Sequence, residues 1–281
     1  MKKITITFVL TAVISLTSFA GGGWLSGKGN GFFKLSESVI RGNKFYSGDG
    51  SLQNITTAGV HLTTLYGEYG ISNKFDVIAN FPVFARLTLN DVRFSTGEFL
   101  EGDSFNGIGD LDIGIKYGIR QNKSLVISTS LILGIPTGNT SGGRTELLQT
   151  GDGEFNQLLR VDFGYAFIKP FYSNVGFGFN NRTEGFSEEF RYDFELGYKH
   201  SDQLIIAFKL AGNESFNNGN PDGSSGNGIF SNNLEYLAFG PEISYITKKN
   251  WGITASYRTA AKGQFIIAAP AYEFGFFYKL N

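Results

Sequence analysis

Along most of its length the chain alternates apolar residues with polar or small ones. Between 110 and 119 the odd positions are Leu111, Ile113, Ile115, Tyr117 and Ile119, and the even ones Asp110, Asp112, Gly114, Lys116 and Gly118. Residues 189–199 repeat the pattern, with Phe190, Tyr192, Phe194, Leu196 and Tyr198 set between Glu189, Arg191, Asp193, Glu195 and Lys199. At the end of the chain Tyr272, Phe274, Phe276, Tyr278 and Leu280 alternate with Glu273, Gly275, Phe277 and Lys279. Successive strand side chains point to opposite faces, so each segment has one greasy face and one charged or small face.

Twelve such segments are read, at roughly 31–41, 57–70, 75–87, 108–119, 124–136, 155–168, 171–181, 189–200, 204–215, 233–246, 251–260 and 270–280. Many are longer than the usual strand of about 5 to 6 residues. They suit a tilted membrane strand, which needs about 9 to 11 residues in the hydrocarbon. Tight turns fall at 72–74, 121–123, 168–170, 201–203 and 248–250, and long polar loops at 42–54, 88–107, 137–154, 181–188, 212–232 and 260–269. Short turns on one side and long loops on the other, with an even strand number, are the pattern of bacterial outer-membrane barrels. A bilayer admits only closed sheets, because an open edge would leave backbone groups unpaired in lipid. The expected fold is therefore all-β: a closed antiparallel transmembrane barrel of twelve strands, with short periplasmic turns and long extracellular loops. Tyr117, Tyr198, Tyr245, Trp251 and Tyr278 form an expected aromatic girdle on the turn side. Pro82 lacks an N–H in the middle of the third strand, and a bulge is expected there. The first two strands carry polar residues on both faces and do not declare which side is inward.

Composition supports this reading. Of 281 residues, 38 are glycine and 28 phenylalanine, and only 17% are charged, against roughly 25% in soluble domains. No residue is cysteine, which removes disulfide scaffolds, thiolate nucleophiles and zinc–thiolate sites. A net charge of -1 gives no footprint for nucleic acid. Lys2 and Lys3, the apolar stretch 4–16 and Ser18-Phe19-Ala20 read as a cleaved signal peptide. The expected organisation is thus a signal at 1–20 and a single barrel at 21–281, exported to the outer membrane of a Gram-negative bacterium. Its expected partners are outer-membrane lipid, the barrel-assembly machinery and a small-molecule solute.

Candidate chemistry lies on the inward face. Asp110, Asp112, Lys116, Arg160, Asp162, Arg191, Asp193, Glu195, Lys199, Lys209, Glu242, Arg258 and Glu273 are the expected lumen-lining residues. Charges of both signs in a lumen either pair into a rigid interior or select solutes along a polar path. Other motifs carry less. Asn218, Asn220, Asp222 and Gly223 echo the start of a calcium loop, but Ile229 stands where the twelfth-position carboxylate belongs. The Gly-Asp-Gly runs at 48–50 and 151–153 precede no helix and read as turns. His61 and His200 are the only imidazoles, and no serine matches His61 in its strand for a lipase arrangement. No enzyme activity, metal or cofactor is expected.

Gly107-Ile108-Gly109-Asp110 running into Lys116-Tyr117, and Ile135-Pro136-Thr137-Gly138 followed by Thr150-Gly151-Asp152-Gly153, resemble the outer-membrane family named for meta-pathway phenol degradation. Gly27-Lys28-Gly29, Phe32-Phe33-Lys34-Leu35, Phe45-Tyr46 and Asp49-Gly50 have the same flavour. The family is similar to the long-chain fatty acid transporters. The resemblance implies a channel or transporter passing small hydrophobic or aromatic molecules through a narrow lumen, the alternative being a structural or ligand-binding barrel with no open pore, or less plausibly a lipid hydrolase. Fatty acid transporters carry a substantial N-terminal hatch. Only residues 21–30 precede the first strand here, so no plug is expected.

Overall fold

The structure is a computed structural model that describes residues 22–93, 95–122, 124–220 and 232–281. The expected signal peptide and the end of the calcium-loop echo lie outside those residues.

Twelve long strands carry the fold: β1 (Gly31–Tyr46), β2 (Leu52–Gly70), β3 (Phe75–Leu89), β7 (Leu111–Gln121), β8 (Leu125–Ile135), β9 (Asn156–Ile168), β10 (Phe171–Asn181), β11 (Glu189–Lys199), β12 (Leu204–Ser215), β13 (Glu235–Ile246), β14 (Trp251–Gln264) and β16 (Ala271–Leu280). Four short pieces sit among the loops: β4 (Val92–Arg93), β5 (Phe99–Leu100), β6 (Asp103–Gly107) and β15 (Ile266–Ile267). Each long strand pairs antiparallel with its neighbours in sequence, save that the small β6 and β15 ride along the rim. β1 pairs with both β2 and β16, from Gly31 opposite Tyr69 and from Gly31 opposite Leu280. That double pairing closes the sheet, so no edge is left.

The barrel is an inside-out protein. Phe163, Phe177, Leu196, Phe208, Ile253 and Phe274 stand exposed on its outer wall, while Asp76, Lys116, Asp162 and Asn180 are buried within. Two differences from the sequence reading enlarge the loop-side rim. β1 and β2 continue past the expected ends, pairing Lys44 with Asn54 and Tyr46 with Leu52 beyond a bulge at Gly42/Lys44. The hairpin closes through Gly50, whose φ of 78° favours a residue without Cβ. β14 likewise runs on to Gln264, and β15 adds to the end of β1.

Pro82 sits at the expected irregularity. Thr63 pairs with Phe84 and Thr64 with Pro82, so Val83 is the extra residue of a bulge. On the other side β7 leaves β3 at Asn80 and β6 joins it at Ala85. The missing N–H therefore falls in an interruption of the ladder, where Gly109 N donates to Pro82 O at 2.7 Å.

The facing of the first two strands is also resolved. Lys34, Ser36, Tyr66 and Glu68 point inward; Phe33, Leu35, Leu65 and Tyr69 are exposed outside. Glu37, His61 and Thr63 share that outer face and satisfy one another. Thr63 Oγ1 donates to Glu37 at 2.6 Å, and His61 Nδ1 lies 3.9 Å from the same carboxylate.

Candidate functional site

The lumen is hollow but heavily crossed. A cavity of 340 Å³ occupies its middle, reached by Asp112, Lys116, Arg160, Asp162, Arg191, Asp193, Glu195, Lys209 and Arg258 among the expected residues. A second, of 430 Å³, lies toward the loops and shares Arg191 and Arg258 with the first.

Alternation places these charges on one face, and partners come from the same strand, the next one or the next but one. Arg160 of β9 donates Nη2 to Asp162 at 2.7 Å and also pairs with Asp193 of β11. Lys209 of β12 bridges Glu195 at 3.4 Å and Glu242 of β13 at 2.8 Å, and Tyr172 Oη donates to Glu195 at 2.6 Å. Glu273 of β16 takes Lys34 at 2.7 Å and Arg258 of β14 at 3.5 Å. Lys116 is buried against Glu68, 3.2 and 3.1 Å from its two oxygens. Asp112 accepts from Asn80 at 3.3 Å. Asp110 has a different task. It lies ahead of β7 and accepts from the backbone N–H of Gly138 at 2.8 Å and of Asp152 at 3.0 Å, tying down the loop that follows β8. Lys199 pairs with Asp202 at 3.0 Å beside the tight turn.

Sequence reasoning did not find what narrows the two mouths. On the loop side, residues 137–154 fold back into the barrel, and Leu148 is buried against Val60, Ala85 and Leu87 on the inner face of β2 and β3. Beside it, Arg182 pairs with Asp152 at 3.1 Å, with Glu189 at 2.8 Å and with Glu154, while its guanidinium lies over the Phe186 ring at 4.4 Å. Burial lifts the Glu154 carboxyl to about 7; Arg182 opposes that rise but does not cancel it.

At the turn side the N-terminal residues cross the lumen, although so short a segment was expected to form no plug. Gly23 N donates to Asn174 of β10 at 3.0 Å, Leu25 N to Gln121 of β7 at 3.2 Å and Ser26 N to Asp76 of β3 at 2.7 Å. Gln121 returns a bond to Gly23 O at 2.8 Å. The strap crosses from β10 to β3 before entering β1, where Gly29 N donates to Gly70 O at 2.8 Å. Trp24 lies on Gly164 of β9, where a Cβ would overlap the indole. Phe32, Ile246 and Phe277 form a buried apolar cluster toward the turn-side ends of β1, β13 and β16, with Tyr66 against them. The signal for the strap was weak: Gly22, Gly23, Trp24 and Leu25 look like a linker unless the glycines inside the wall are read as its bed.

Residues 33–264 match the family described as "Putative MetA-pathway of phenol degradation". The chain belongs to this family. No curated protein matches it. Among solved structures it is similar to the COG4313 outer membrane channel from Pseudomonas putida F1, at 12% identity and a TM-score of 0.60, covering 90% of this chain and 96% of that one. It also resembles the NanC porin, with 8% identity, a TM-score of 0.51 and coverage of 89% and 99%. The translocator domain of the autotransporter NalP from Neisseria meningitidis follows at 10%, 0.50, 91% and 90%. At such identities the likeness is one of fold, and the fold is that of a Gram-negative outer-membrane barrel.

Proposed function

We propose that the chain forms a narrow outer-membrane channel for small solutes, closed at its turn-side end by the N-terminal strap. One observation carries this reading: the middle of the lumen is a cavity of 340 Å³ rather than packed side chains, and Arg191 and Arg258 also line the cavity above it. A barrel built only for stability gains nothing from an unfilled polar interior, since charges desolvated there are seldom worth more than apolar packing. The strap is held largely by single hydrogen bonds, each worth about 0.5–1.5 kcal/mol net, and its loss breaks no strand. That is the economy of a gate. The expected lumen-lining residues, Asp110 and Lys199 aside, then supply the polar path. The family's description points to aromatic compounds as solutes, and a hollow interior fits their passage.

A second reading, a closed structural barrel, is favoured by how many of the lumen charges are paired. Planar-bilayer recording of the purified mature protein separates the two. Discrete current steps, larger once residues 22–27 are deleted, are the expected result. Silence from both forms, with both barrels folded by heat-shifted gel mobility, overturns the channel.

A further inference from the structure

The loop-side cavity has two unlike walls. One is small and apolar, with Ile40, Ala238, Ala260, Ile266, Ile267 and Ala271 along β1 and β13 to β16. The other presents guanidinium groups. Arg191 and Arg258 are 39% and 37% exposed, whereas the carboxylates they pair with, Glu189 and Glu273, are 4% and 15% exposed. Each carboxylate is also engaged by a second cation, Glu189 by Arg182 at 2.8 Å and Glu273 by Lys34 at 2.7 Å. Asp152, Glu189 and Arg182 also line the cavity, but they are buried in ion pairs with one another, and the more exposed charges facing the space are the two guanidiniums. Arg191 uses Nε and Nη2 on Glu189, and Arg258 reaches Glu273 through Nη2 alone at 3.5 Å. A guanidinium carries five N–H donors in a planar fork suited to carboxylate. Both therefore keep donors for a ligand, at the level where the two cavities meet.

We infer that this cavity is a binding site for small monocarboxylates with an apolar body, the carboxylate held between Arg191 and Arg258 and the body laid along the Ile40–Ile266–Ile267 wall. A volume of 430 Å³ is within the range of small-ligand sites, which combine apolar walls with a few convergent polar groups. A neutral ring of the same shape would leave the guanidiniums to water and gain only the apolar contact. The inference rests on the channel reading for what happens after binding, but not for binding itself.

Equilibrium dialysis of labelled benzoate against the purified full-length mature barrel in detergent, with empty micelles subtracted, tests the site without requiring conduction. Saturable binding is expected, displaced by hexanoate and not by benzyl alcohol. Arg191→Gln and Arg258→Gln should each weaken it about tenfold, the loss of one charge-assisted hydrogen bond. Both variants should fold, because Glu189 keeps Arg182 and Glu273 keeps Lys34; heat-shifted mobility verifies this. Absence of saturable binding, equal competition by benzyl alcohol, or unchanged affinity in both folded variants overturns the site. In bilayers, benzoate should also reduce the chloride current of the wild type. A barrel that binds benzoate yet never conducts upholds the site and overturns the channel, whereas one that conducts without binding does the reverse.

Discussion

The indole of Trp24 stands edge-on to the ring of Tyr172, with 6.0 Å between centroids and 89° between planes. Tyr172 in turn donates its hydroxyl to Glu195 at 2.6 Å, and Glu195 shares Lys209 with Glu242. The strap is thereby in contact with the ion-pair ladder of the lumen. Strap position and lumen charge form one connected arrangement, though its separate bonds are weak.

Trp24→Gly should loosen the strap while leaving every strand pairing in place. Single-channel conductance in planar bilayers should rise several-fold, with the thermal unfolding midpoint within a few degrees of the wild type, because the residue touches the wall from inside and carries no ladder bond. Unchanged conductance with an unchanged midpoint would show that the strap does not gate.

Lys116 and Glu68 are buried together, 3% and 7% exposed. Lys116→Met leaves the buried Glu68 at the cavity wall without its cation, a loss of about 3–5 kcal/mol when a buried pair is broken from one side. Adding Glu68→Gln should return most of that loss, since the uncompensated charge goes with it. The check is a double-mutant cycle on urea unfolding in lipid. Additive losses would mean that the pair is not coupled.

The outer wall makes the opposite demand. By strand alternation Phe194 shares its face with the exposed Phe190 and Leu196, while Asp193 pairs with Arg160 inside the barrel. Phe194→Arg places a cation toward the bilayer midplane at about 2–4 kcal/mol and should impair assembly. Asp193→Asn should assemble normally, because Arg160 keeps Asp162. Folded yields by heat-shifted mobility distinguish the two.

The wall was legible because a period of two is imposed by the bilayer on every strand at once: Phe274 and Glu273 declare their faces with no other information. Lumen charges such as Asp112, Arg160 and Lys209 follow from the same parity. β1 and β2 were ambiguous because Glu37, His61 and Thr63 put polar groups on the outer face, where they satisfy one another across strands. That solution depends on register, which alternation does not state. The strap and the inward loop were hidden for a related reason. Trp24 and Leu148 meet residues far away in sequence, and the features that receive them, Gly164 and Ala85, are small and distinctive only once the barrel is closed.

Glu154 offers a pH readout. Its carboxyl is raised from 4.5 to about 7, chiefly by burial. For an acid raised on folding, the unfolded chain releases its proton first. Its contribution to stability is whole below about pH 4.5 and is lost as the pH climbs through 7. In the channel the same titration changes charge at the loop-side mouth. At pH 8 Arg182 is shared among Asp152, Glu154 and Glu189; at pH 6 Glu154 is neutral, and the cluster is more positive by about one charge. Chloride preference should therefore increase from pH 8 to pH 6, with a midpoint near 7, as read by reversal potential in a potassium chloride gradient. Neither histidine confounds this, since His61 faces outward and His200 lies beside the tight turn after β11. Glu154→Gln should hold the acid-side preference across the whole range. A wild-type profile that is flat from 6 to 8, or a midpoint that survives the substitution, would place the titrating group elsewhere.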